Sequence, residues 1–155
     1  YKLGDKIVPF LRDDEVEMLK IREGTLSEAE RKHIERHALM TYEMLSSMPF
    51  PKEYKEVTHI AANHHEKLNG KGYPHKLTEK DLSFEDRLLA ICDIFEALTA
   101  SDRPYKKAKK LSEVFKIMGF MVKDKEIDEE IYKFFVEKRV WEKYIPYLKK
   151  EQIDI

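Results

Sequence analysis

Ser83-Phe84-Glu85-Asp86-Arg87-Leu88-Leu89-Ala90-Ile91-Cys92-Asp93-Ile94-Phe95-Glu96-Ala97-Leu98-Thr99-Ala100 places apolar side chains at three- and four-residue steps. It lacks the sustained alternation of a half-buried strand. Ser83 stands ahead of the run as an N-cap, and the spacing predicts a helix to about Ala100. That helix is strongly apolar through Leu88, Leu89, Ile91, Cys92, Ile94, Phe95 and Leu98. One carboxylate, Asp93, interrupts it.

The same periodicity extends in both directions, so the expected fold class is all-α. Upstream, Ser27 with Glu30 makes a capping box that opens a helix to about Ser47, with Ile34, His37, Ala38, Thr41 and Leu45 as its inner stripe. Pro49 and Pro51 break the chain. A further helix is expected from about Lys52 to Glu66, with Tyr54, Val57, Ala61, His64 and His65 at helical spacing. Downstream, Ser112 and Asp128 are the caps expected for two more helices. The first carries Val114, Phe115 and Met118, and the second Ile131, Phe134 and Phe135. A last amphipathic stretch holds Trp141, Tyr144, Ile145 and Leu148. At the other end, residues 1–12 read as irregular and Asp13–Ile21 as a short turn or helix. No repeat or second domain interrupts the pattern, and the 155 residues suit a single domain.

Bulk composition narrows the function classes. Thirty acidic side chains against 29 basic ones leave no global positive field, which argues against duplex nucleic acid. An anionic ligand must therefore be attracted locally. Cys92 is the single cysteine, so an internal disulfide is excluded and a reducing compartment fits. No apolar run approaches the roughly 20 residues of a membrane span. Together these point to a cytoplasmic domain without membrane insertion.

The residues able to carry chemistry centre on His64-His65-Glu66-Lys67-Leu68-Asn69-Gly70-Lys71-Gly72-Tyr73-Pro74. Imidazole is the commonest protein ligand for transition metals, and a glycine-bearing loop lets backbone approach a ligand. Adjacent helical side chains diverge by about 100°, so on a continuous helix His64 and His65 either serve different ions or divide into a ligand and an orienting group. Gly70 and Gly72 equally well make the turn that ends the helix. Tyr73 either stacks on a base or covers the loop. Glu66 either orients a neighbouring histidine or is an exposed helix-end carboxylate. His37 on its apolar stripe is either a hydrogen-bonded core residue or a ligand. Asp93, flanked by apolar residues, needs a cation, several donors or a proton if it is buried. Asp102-Arg103-Pro104-Tyr105-Lys106-Lys107 is either a solvated turn or a phosphate clamp, with Arg103 as a bidentate fork and Lys106 as a point charge. His33, His59 and His75 read as surface residues.

Taken together and in order, these motifs resemble the HD-GYP family of metal-dependent phosphohydrolases over roughly Gly24 to Phe135. The match includes Gly24-Thr25-Leu26-Ser27, His64-His65-Glu66 with Gly70, Gly72, Tyr73 and Pro74, the Ala90–Thr99 helix, and Ser101-Asp102-Arg103-Pro104-Tyr105-Lys106. The resemblance implies a helical bundle and a divalent transition metal, iron or manganese, with two ions where the site is complete. It implies hydrolysis of the bacterial messenger cyclic di-GMP without a covalent protein nucleophile. Carried over by position, His37, His64, His65 and Asp93 are implied metal ligands. Gly72, Tyr73 and Pro74 are implied to line the substrate pocket, with Arg103 and Lys106 holding phosphate. The partners implied for the parent protein are a cyclic dinucleotide and either a second copy or an attached sensory domain. Trp141, Tyr144, Ile145 and Leu148 suit a dimer face or packing against the chain's own core.

The chain also departs from the family. The family name refers to an adjacent His-Asp dyad, and no His-Asp pair occurs anywhere in this sequence. The expectation is therefore either a fragment beginning after the dyad or a degenerate member. Either one has a reduced ligand set and weak activity, or binds nucleotide or a signalling partner without turnover. Glu96 stands where the family usually shows Asp.

Overall fold

The structure is a computed structural model that describes residues 2–3, 6–7, 11, 13–19, 27–100 and 108–155. Its elements are strands β1 (Lys2–Leu3) and β2 (Lys6–Ile7), then helices α1 (Asp13–Leu19), α2 (Glu28–Ser46), α3 (Val57–Asn63), α4 (Phe84–Thr99), α5 (Leu111–Lys123) and α6 (Glu129–Glu137). Short 3₁₀ segments cover Lys52–Tyr54, Val140–Tyr147 and Lys150–Gln152. The fold class is all-α, as periodicity required. Among the described residues, no helix is long and apolar enough to cross a membrane.

Two compact units divide the chain, Tyr1–His37 and Ala38–Ile155. In the first, β1 and β2 pair antiparallel with Lys2 opposite Ile7 and Leu3 opposite Lys6. The sequence reading expected only irregular chain over 1–12, because two-residue strands are too short to show alternation. The first turn of α2 is closed as Ser27 and Glu30 predict. The Ser27 N–H donates to Glu30 Oε2 at 2.8 Å, and the Glu30 N–H donates to Ser27 Oγ at 3.3 Å.

In the second unit, α4 is the central helix. Its capping box forms between Ser83 and Asp86, and Ile91 and Phe95 enter a core with Leu111, Val114, Met118, Ile127, Ile131, Phe135 and Trp141. The Phe95 ring meets Phe135 edge-on at 5.1 Å and Tyr144 at 5.7 Å, distances typical of favourable aromatic pairs. The Val140–Tyr147 segment thus packs back on its own core, with Trp141 buried against Phe115. Not every apolar residue of α4 goes inward. Leu88 and Leu89 are 40% and 37% exposed, and Cys92 is exposed, because neighbouring helices cover only part of its circumference.

Two caps differ in kind. Asp128 starts α6 as predicted, accepting the N–H groups of Glu130 and Ile131 at 3.0 Å. Ser112 does not cap α5, whose N-cap is Lys110. Instead the Ser112 N–H and hydroxyl donate to Asp154 at 3.0 and 2.7 Å, and these bonds hold the Asp154 carboxyl below its usual range. A residue 42 positions away does the capping, which no local pattern reveals. Beside it, buried Gln152 donates to the carbonyls of Thr99 and Lys109 at 2.9 and 3.2 Å.

The helix expected over Lys52–Glu66 is shorter, and it buries another face. After the 3₁₀ turn at Lys52–Tyr54, α3 inserts Thr58, Ala62 and Asn63, while Tyr54 is 56% exposed. Asn63 Nδ2 donates to Asp86 Oδ1 at 3.3 Å, tying the end of α3 to the start of α4. The chain then turns. Buried Glu66 accepts the N–H groups of His75 and Leu77 at 2.6 and 2.9 Å, pulling the glycine loop against α3. Gly70 adopts φ +72°, a conformation that costs L side chains energy. Gly72 answers a different need, since a Cβ there would lie 2.5 Å from Glu66 Cα and Lys67 N.

These packing relations give two stability tests. Met118→Ala, at a fully buried site, should cost about 3 kcal/mol in denaturant unfolding, whereas Phe134→Ala, at a site 59% exposed, should stay within about 0.5 kcal/mol. Gly72→Ala should cost at least about 2 kcal/mol, because backbone and not a flexible side chain occupies the space. Wild-type stability in Gly72→Ala would show that the loop does not lie on Glu66.

Candidate metal centre

The site begins where α3 stops. His64 is its C-cap residue, with φ −60° and ψ −15°, and its Nδ1 lies 2.7 Å from the Ala61 carbonyl. A carbonyl can only accept, so Nδ1 carries the proton of this bond. His37 on α2 has the same arrangement within its own turn, with Nδ1 2.6 Å from the Ile34 carbonyl. In both cases the partner lies three residues back on the helix. Such anchoring of one imidazole nitrogen fixes the tautomer and ring orientation that a metal ligand needs.

His65 follows the C-cap residue His64 and lies beyond Asn63, the last residue of α3, so the divergence expected for neighbours on a continuous helix does not apply. Its ring centroid lies 4.0 Å from that of His64, with 41° between the planes. The two imidazoles are side by side. Together they offer nitrogen donors of the kind a transition metal takes.

Asp93 reaches this region from α4. Its Oδ2 lies 3.6 Å from His65 Nδ1, and the two side chains are 34% and 28% exposed. The sequence suggested a carboxylate sunk among apolar neighbours. The structure sets it on the flank of α4 that meets the end of α3, partly solvated and beside an imidazole. At 3.6 Å this is proximity rather than a hydrogen bond. Imidazole nitrogens joined by a carboxylate oxygen form a donor set that suits iron, manganese and zinc, so the residues present fit a divalent ion.

The glycine loop supplies the adjoining wall. The Tyr73 N–H donates to the His65 carbonyl at 3.3 Å, and the Tyr73 ring centroid lies 4.8 Å from that of His65. Pro74 follows it, half-buried. Glu66 is 4% exposed, and its hydrogen bonds go to loop backbone, not to an imidazole. His33 and His75 are exposed, and the His59 ring packs 5.4 Å from Tyr42. Arg103 and Lys106 lie outside the described residues. What sequence reading did not identify is the pair of backbone acceptors at Ile34 and Ala61; the only trace of them is the three-residue helical step.

A family model described as an HD domain matches residues 14–131. The chain is 36% identical over 113 residues to the 3'3'-cGAMP-specific phosphodiesterase 1 of Vibrio cholerae, covering 73% of this chain and 25% of that protein. It is 37% identical over 89 residues to the cyclic di-GMP phosphodiesterase response regulator RpfG of Xanthomonas campestris pv. campestris, covering 57% and 23%. It is 32% identical over 96 residues to a cyclic di-GMP phosphodiesterase of Thermotoga maritima, covering 62% and 26%. The chain spans about a quarter of the length of these relatives. The match over most of its residues, and the histidine pair with its Gly-Tyr-Pro loop, make this chain a member of the HD domain family, in its HD-GYP group.

Proposed function

We propose that this chain forms the catalytic region of a metal-dependent phosphodiesterase acting on a cyclic dinucleotide, with cyclic di-GMP as the substrate. The observation that carries the reading is the His64–His65 pair, with rings 4.0 Å apart and His64 Nδ1 held on a backbone carbonyl. The names of the relatives above support the substrate class. Carried over from the family pattern, His37, His64, His65 and Asp93 are the proposed ligands, His65 and Asp93 lying 3.6 Å apart, for iron or manganese, with two ions where the donor set is complete. The parent protein's second copy or sensory domain belongs to the same proposal.

A divalent ion bound there would supply an acidified water and offset negative charge on a phosphate oxygen. The chain's own residues do the rest. Ala61 and Ile34 carbonyls hold the Nδ1 protons of His64 and His37, so both rings keep one tautomer throughout turnover. The Asp93 carboxylate lies beside His65 and would stabilise positive charge near that ring. Gly72, Tyr73 and Pro74 form the wall that a base or ribose meets, with Tyr73 already packed on His65. Arg103 and Lys106 are the proposed phosphate holders, Arg103 by a bidentate fork.

A second reading has its own support, since no His-Asp pair occurs in the chain. On that reading the module binds nucleotide or a signalling partner without cleaving it.

Protein loaded anaerobically with Fe(II) or Mn(II) should cleave cyclic di-GMP to a linear dinucleotide or GMP, and chelation should abolish the cleavage. Nucleotide binding without turnover selects the second reading. His65→Ala and Asp93→Ala should each lower metal affinity by roughly 10- to 100-fold or more, read by metal titration. Unchanged metal content in both variants would remove them from the ligand set.

A further inference from the structure

Glu66 is 4% exposed, and a carboxylate buried to that degree requires donors. Its oxygens take the N–H groups of His75 and Leu77, one and three residues beyond Pro74. On the near side of Pro74, the Tyr73 N–H donates to the His65 carbonyl. The backbone from 73 to 77 is thus stitched at three points to residues 65 and 66. Gly72 permits this by passing directly over the Glu66 Cα, where any Cβ would collide. The outcome is a Tyr73 ring set 4.8 Å from the ring of His65.

We propose that Glu66 is a positioning residue for the candidate centre, its carboxylate setting Tyr73 against His65 and so fixing the wall that a bound nucleotide meets. The inference rests on the phosphodiesterase reading only for what the wall contacts. The placement of Tyr73 does not depend on it.

Glu66→Gln keeps the shape but offers one acceptor oxygen, and its NH₂ group confronts the second N–H donor to donor. In metal-free protein the Tyr73 ring current shifts the His65 ring-proton resonances. Glu66→Gln should move them in the direction that Tyr73→Leu does, with the resonances of core Trp141 unmoved. In the metal-loaded chain, Glu66→Gln should raise KM for cyclic di-GMP by roughly tenfold, as expected for a lost charge-assisted hydrogen bond. Metal content should not change, and kcat should stay within about a factor of two. If Glu66→Gln does not fold, Glu66→Asp, too short to reach both N–H groups, repeats the comparison. His65 resonances at their wild-type positions in a folded variant overturn the proposal. So does a joint fall of metal content and kcat at unchanged KM. A wild-type chain that fails to cleave the dinucleotide overturns the phosphodiesterase reading instead, and the resonance comparison then decides this one.

Discussion

A carboxylate removed from water has to find hydrogen-bond donors, and Glu66 finds them in the backbone of the loop that follows it. That requirement organises the region where α3 ends. The loop must double back within about ten residues to bring the His75 and Leu77 N–H groups to Glu66, and only a residue without a Cβ can pass the contact at Gly72. With the loop turned, the Tyr73 ring lies 4.8 Å from that of His65. The histidines precede this knot and the loop wall follows it. Unsatisfied polar groups inside a protein cost enough to make such an arrangement specific.

Helix α4 links the site to the core. Ile91 and Phe95 bury on one side and pack with α5, α6 and the Val140–Tyr147 segment. Asp93, between them in sequence, projects from another side toward His65. A rigid helix locked by its core contacts therefore determines where that carboxylate stands. At the start of α4, Asp86 both completes the capping box and accepts from Asn63 at the end of α3. The end of α3, which His64 and His65 follow, and α4, which carries Asp93, are thus joined by a buried polar pair.

Sequence reading succeeded where the cause is local. Ser83, Ser27 with Glu30, and Asp128 act as caps within their own first turns, so their residue types were sufficient. It failed where the cause lies elsewhere in the chain. Ser112 looked like a cap, but its hydroxyl serves Asp154 from the far end of the molecule. Leu88, Leu89 and Phe134 belong to the apolar stretches of their helices, yet each is exposed, because burial depends on which side a neighbouring helix covers. For the same reason helical spacing alone did not show that Thr58 and Asn63 of α3 bury while Val57 stays exposed.

The amino-acid order by itself determined the helical class, the places where most helices begin, and which residue types could bind a cation. Those properties follow from period, caps and side-chain chemistry, all of which act over a few residues. Tertiary structure alone decided that α3 stops at Asn63 and that the His64 and His65 rings beyond it lie 4.0 Å apart. It also decided that Asp93 stands partly solvated beside one of them and that Glu66 faces the loop backbone. The Asp93–His65 distance in particular joins groups remote along the chain, and it exists only once the core has set α4 against the end of α3.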